Sequence, residues 1–392
     1  NKANLTFNNI KTNLTATKNG TTAFNLLSSS ILGANVQLKT TNALLERMSV
    51  TLKNTIRYGI SSSVYNNFAN SFAKAYDYVV DLDKSLNDIR IVTSASSEKM
   101  EEFAVNANTA AKNLGASTLD YTNAALIYYQ QGLSDQEVKA RAEATVKAAN
   151  VTGQSGQEVS EQLTAVWNGY KVTAEEVELY VDKLAAVAAT TAANLEELST
   201  GMSKVASAAN IMGEDIDQLN AQLATVVSVT RQAPESVGTA FKTIYARMGD
   251  IKSGLDDETT LGNYTSQMAE LGFNVLDVNG DLRDMGDVIE EIGGKWNTLS
   301  REQQIALSQI MAGRRQYNNL LALFDNWDMY TKSLQTSKDA AGELNKQQAI
   351  YMDSTEAHLK TLKATWQDLY DSLLNTKEIN PLIDFFTNAI QS

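Results

Sequence analysis

The stretch APESVGTAFKTIYARMGDIKSG, residues Ala233 to Gly254, decides whether this chain reads as a catalyst or as a helical scaffold. Pro234 suits the first turn of a helix, where its missing N–H is not needed, and Glu235 complements the positive helix end. From there Val237, Ala240, Phe241, Ile244 and Met248 fall at i, i+3, i+4, i+7 and i+11, which makes one apolar stripe. Lys242, Thr243 and Arg247 lie away from it. Gly249 is placed to take the left-handed conformation that ends a helix. Gly238 costs up to about 1 kcal/mol of helix stability relative to alanine, so its presence predicts the close approach of another backbone. The stretch therefore reads as a docking helix, with Arg247 and Asp250 as exposed ionic handles and Gly238 in the contact. On that reading Gly238→Leu blocks docking while the chain still folds. An ordinary core helix is the competing reading, and no side chain in the stretch nominates a reaction.

The rest of the chain supports a helical class. Of 392 residues only two are proline, against a usual share of roughly 5%. None precedes Pro234, and proline is what stops helices. There is no cysteine, which excludes a disulfide scaffold, a thiolate metal site and a cysteine nucleophile. The formal charge of −13 argues against specific nucleic-acid binding, because neutralising phosphates needs clustered Lys and Arg. No run of 18 apolar residues is present, so no bilayer-spanning helix is expected. The chain begins at Asn1 rather than Met and stops inside an amphipathic segment, as a piece of something longer would.

Working outward, five segments separate. Residues 1–20 are a polar lead-in. Across 21–92 the apolar residues Leu27, Ile31, Leu38, Leu45 and Leu52, then Phe68, Phe72, Val79, Leu82 and Leu86, keep a spacing of three and four with a local stutter. That is a heptad seam, expected to form a coiled-coil rod of about 100 Å and to self-associate as a homo-oligomer, a trimer favoured. Residues 93–335 read as a bundle of shorter helices. Capping boxes stand at Ser134 with Glu137, Thr173 with Glu176 and Ser300 with Gln303, and Asn194 and Asp215 are further caps. Asn279-Gly280 predicts one small β-hairpin over 275–284. A heptad helix is expected over 336–380, and Asn380-Pro381 opens a further amphipathic segment, 381–392. The fold class is predominantly α and elongated.

A search for chemistry yields little. His358 is the only histidine, and without cysteine it cannot build a zinc site of ordinary type. Asp277, Asn279 and Asp281 begin like a calcium loop. Its sixth position, however, is Leu282 where glycine is needed, and its twelfth is Val288 where a bidentate glutamate is needed. No nucleophile elbow or phosphate-binding loop occurs. The expectation is a protein that is not an enzyme and holds no cofactor and no metal.

RQAPESVGTAFKTIYARMGDIKSG, together with VNGDLRDMGDVIEEIGGKWNTLSREQQIALSQIMAGRRQYNNLLALFDNWD, resembles the conserved region of the tail tape measure proteins of long-tailed bacteriophages. The shared features include the Pro234-to-Asp250 helix and turn, the Trp296 step and the Ala-Gly-x-Arg pattern ending in Arg314 and Arg315. The likeness spans roughly Leu82 to Asn375. It implies an extended helical multimer in the lumen of the tail tube, assembled in the host bacterial cytoplasm, whose length sets tail length and which leaves ahead of the DNA. Implied partners are tail tube and distal tail proteins, tail assembly chaperones and, on ejection, the host cell envelope. At about 1.5 Å per helical residue the chain spans about 590 Å at most. The folded part spans much less, so it flanks the ruler. A secreted helical effector or pore-forming protein is the alternative, suggested by Trp167-Asn168-Gly169, a W-x-G at a helix junction.

Overall fold

The structure, a computed structural model, describes residues 80–253, 265–357 and 360–361. The seam residues Leu27, Ile31, Leu38, Leu45, Leu52, Phe68, Phe72 and Val79 lie outside them, as do the segments 1–20 and 381–392. The described residues are predominantly helical, with no strand among them. Two compact units form, one from residues up to Thr122 and from Thr355 onward, the other Asn123–Ser354. These limits differ from boundaries drawn at 93 and 335, because apolar periodicity marks helices and does not show which helices share a core.

In the first unit α1 covers 80–93, α2 is Ser97–Asn113 and α3, Thr118–Gln130, carries the unit boundary within it. Ser96 caps α2 by accepting from Lys99 N–H, and Ser117 and Asp120 cap the start of α3 reciprocally. Leu82 and Ile89 are buried and Leu86 half-buried. Between them Ser85 Oγ donates to Thr122 Oγ1 at 3.0 Å. The last turns of the seam are thus covered by this chain's own α3, where the heptad reading expected a second copy.

The second unit continues with α4, Asp135–Thr152, α5, Gly156–Tyr170, α6, Val177–Thr190, and α7, Leu195–Ser203. After these come α8, Ala206–Ile211, α9, Ile216–Thr230, α10, Pro234–Ser253, and α11, 265–270. The remaining helices are α12, Met285–Lys295, α13, Arg301–Asp325, α14, Trp327–Lys338, and α15, Glu343–Met352. Reciprocal capping boxes start α4 at Ser134, α5 at Ser155, α7 at Asn194, α9 at Asp215 and α13 at Ser300. Each satisfies orphan N–H groups at a helix end. The Thr173–Glu176 pair instead closes a turn just before α6.

Helix α9 is the central element. It packs most extensively on α14 and also touches α6, α7, α10 and α13. Eleven of its residues are buried, including Gln218, Asn220, Gln222 and Thr225, so it is enclosed on all sides rather than along one stripe.

Two expectations change here. The hairpin over 275–284 reduces to a single antiparallel bridge, Leu276 with Leu282. Asp277 Oδ1 accepts from both Asn279 N–H and Asp281 N–H, which folds these residues into a side-chain-closed turn and leaves too few for strands. The single helix expected over 336–380 is divided, with 336–338 ending α14 and α15 starting after Gly342 at φ 86°. Asp182 of α6 accepts from Gly342 N–H at 2.8 Å and Leu344 N–H at 2.7 Å, so a carboxylate far away in sequence fixes the break.

Candidate functional site

Helix α10 carries the stretch that opened the sequence analysis. Val237, Ala240, Phe241, Ile244 and Met248 are fully buried, joined by Tyr245. Pro234 stands at the first helical position. Gly238 is where α10 crosses α7. A methyl group built on it would overlap the Gly201 carbonyl oxygen and come 2.9 Å from the Gly201 carbonyl carbon. The backbone that Gly238 admits thus belongs to the same chain. The Gly238 contact is a packed crossing of the core, and the expectation that Gly238→Leu leaves folding intact is corrected accordingly.

Arg247 is also engaged internally. Its Nε donates to Ile310 O at 2.8 Å. In a regular helix that carbonyl would accept from the N–H of residue 314. Gly313, at φ 65° and ψ 173°, breaks the ladder inside α13, and Arg247 supplies the missing donor. Arg247 is therefore a clamp on a kink rather than an exposed handle. Gly249 does not end α10, which continues to Ser253 with Gly249 in helical conformation. The helix continues because Met248 beneath is fully buried and the neighbouring Met212 Sδ lies at ordinary contact distance from a built Cβ. The Asp250 side chain lies outside the described residues. Arg314 and Arg315, just past the kink, are exposed. Trp296 is 1% exposed, donates from Nε1 to Asp325 Oδ1 at 2.8 Å and stacks on Phe324 at 4.7 Å, which makes it a core anchor.

The clamp gives a prediction. Arg247→Ala orphans a carbonyl inside the α10–α13 contact, at a cost of about 1–3 kcal/mol. Urea denaturation of the two proteins measures it, and coincident transitions would show that water satisfies Ile310 O without Arg247.

Sequence periodicity gave no signal for the polar groups inside the second unit. Lys183 Nζ reaches Asp217 Oδ1 and Oδ2 at 2.6 and 2.7 Å, Ser337 Oγ donates to Asp217 Oδ1 at 2.6 Å, and Asn220 Nδ2 donates to Lys183 O at 2.8 Å. A second group surrounds Glu214, whose carboxyl is 1% exposed. Burial first, and then the charge of Asp215, pushes it well above the ordinary carboxylate range. Burial likewise raises Tyr170, Tyr245 and Tyr330. The Asp215 cap of α9 was the one hint, because a cap places the preceding residue at a helix junction.

Trp167 of the W-x-G is buried, with Arg141 5.4 Å above its ring, and Gly169 lies against the start of α8, where a methyl would come 2.8 Å from Ala206 Cβ. Among the described residues no group of three or more His, Cys, Asp or Glu is placed to hold a metal ion, and no helix is long and apolar enough to cross a membrane. His358 lies outside them. What these residues build is a set of packed helix crossings and buried hydrogen-bond relays.

The family model described as phage-related minor tail protein matches residues 108–313, a span that takes in α10, its crossing partner α7 and the kink at Gly313. No solved structure matches the chain.

Proposed function

The chain belongs to the phage-related minor tail protein family, and from that premise we propose that it is the tail tape measure, a non-enzymatic virion protein that sets tail length during assembly. It acts as a component of the tail that associates with other tail components. On this reading it lies in the lumen of the tail tube as a homo-oligomer and is ejected ahead of the DNA to assist genome delivery.

The observation that carries the proposal is the coincidence of two features. The family match encloses α10 and the Gly313 kink, and these same residues carry the likeness to tape measure proteins. The described helices supply a folded body made by internal crossings, with no reaction nominated by their side chains, which suits a part that flanks a ruler rather than the ruler itself.

In-frame deletions of helical segments in the full-length gene, outside residues 80–361, are expected to shorten tails in proportion to the residues removed, at about 1.5 Å per residue. Electron microscopy of the resulting particles measures this. Tails of unchanged length would remove the tape measure assignment while leaving membership of the tail family intact.

A further inference from the structure

Glu214 sits in the turn between α8 and α9, and the turn is pinned from both sides. Its N–H donates to Ala209 O at 3.0 Å, and Met285 N–H donates to Met212 O at 2.8 Å. The carboxyl points into the interior of the second unit. Oε1 accepts from Gln222 Nε2 of α9, and Oε2 has no hydrogen-bond partner. Gln222 Oε1 accepts in turn from Tyr245 OH of α10 at 2.8 Å. A three-member relay therefore runs from the turn through α9 to the buried face of α10.

The groups that act on this carboxyl include no cation. They are Asp215 in its own turn, Gln222 of α9, Tyr245 of α10 and Glu290 of α12, while Tyr170 of α5 and Tyr330 of α14 feel its charge in turn. Glu290 is itself held by Gln218 Nε2 and Tyr330 OH. A carboxylate at Glu214 would be buried beside two acids, with a single donor on one oxygen. A buried charge without a counter-charge is strongly disfavoured, and the neutral acid is the form this chamber accepts.

We propose that Glu214 is a proton-held latch on α10: the neutral carboxyl keeps the Glu214–Gln222–Tyr245 relay closed, and loss of its proton opens the relay and releases α10. The latch stands on the geometry of the chamber and is independent of the tape measure reading. Its sign follows from linkage. In the unfolded chain this carboxyl titrates in the ordinary range, whereas in the fold burial and Asp215 hold it above that range. Stability is then full below the ordinary carboxylate range and falls as pH rises toward the folded value. One proton of difference corresponds to about a tenfold change in the opening constant per pH unit within that interval.

The test is hydrogen–deuterium exchange of the full chain from about pH 5 to about pH 9, for wild type and Glu214→Gln. Taking the ratio of the two at each pH cancels intrinsic exchange chemistry. For peptides of α10 and of 212–215 the ratio is expected to climb toward tenfold per pH unit, while peptides of α4 stay flat. A flat ratio at α10, or an equal climb everywhere, overturns the latch. Tyr245→Phe removes a hydroxyl that favours the charged acid, so it is expected to move the window to higher pH; a window that stays in place breaks the relay and the proposal with it. Should Glu214→Gln fail to fold, isotope-edited infrared spectroscopy of wild type with labelled glutamate decides the matter. A neutral carboxyl band at about pH 7 supports the latch, and carboxylate bands alone overturn it.

Discussion

Gly238→Ala is expected to destabilise the second unit by about 1–3 kcal/mol, although alanine by itself favours a helix over glycine by about 1 kcal/mol. The added methyl overlaps the Gly201 carbonyl oxygen, which is backbone and cannot rotate away, and it also comes 3.1 Å from Lys204 Cβ. Relief requires α10 to lift from α7, and that pulls at Val237 and Phe241, both fully buried. Thr239→Ala, one residue on and exposed, changes propensity without the clash and serves as the control. Urea denaturation followed by circular dichroism compares the three proteins. If Gly238→Ala matches Thr239→Ala in stability yet abolishes tail assembly, the crossing is not what the glycine serves, and the reading of α10 as an external docking helix returns.

Asp217→Ala is expected to cost about 3–5 kcal/mol, since it leaves the Lys183 ammonium in a nearly buried position without its counter-charge. It also strips Ser337 Oγ of its acceptor on α14. Lys183→Met combined with Asp217→Ala removes the stranded charge and is expected to recover most of the loss. The comparison is a double-mutant cycle in urea. Additive losses in the double variant would mean that the pair is solvated and that α6, α9 and α14 are joined by apolar packing alone.

The helices were readable where local chemistry acts alone. Ser134, Asn194, Asp215 and Ser300 cap the helices expected of them, because a cap bonds within three residues. The α10 stripe was readable for the same reason, since 3.6-residue periodicity needs no knowledge of what lies opposite. Tyr245 was missed: its ring is buried beside the stripe because its hydroxyl has Gln222 to donate to. Glu214, Lys183 and Asp182 were missed for the related reason that a charged residue reads as exposed until its partners are known. Gly249 looked like a stop from its residue type, but Met248 and the contacts beneath it carry α10 onward to Ser253.

By itself, then, the sequence determined the helical class, the starts of many helices, the apolar face of α10 and the likeness to phage tail proteins. All of these are written in spacing and residue type within a few turns. Only the tertiary structure decided that Gly238 meets Gly201, that Arg247 completes the broken ladder at Gly313, and that Asp182 divides the heptad helix. These contacts join residues tens to more than a hundred positions apart, and no local pattern encodes which distant carbonyl or carboxylate a given side chain will meet.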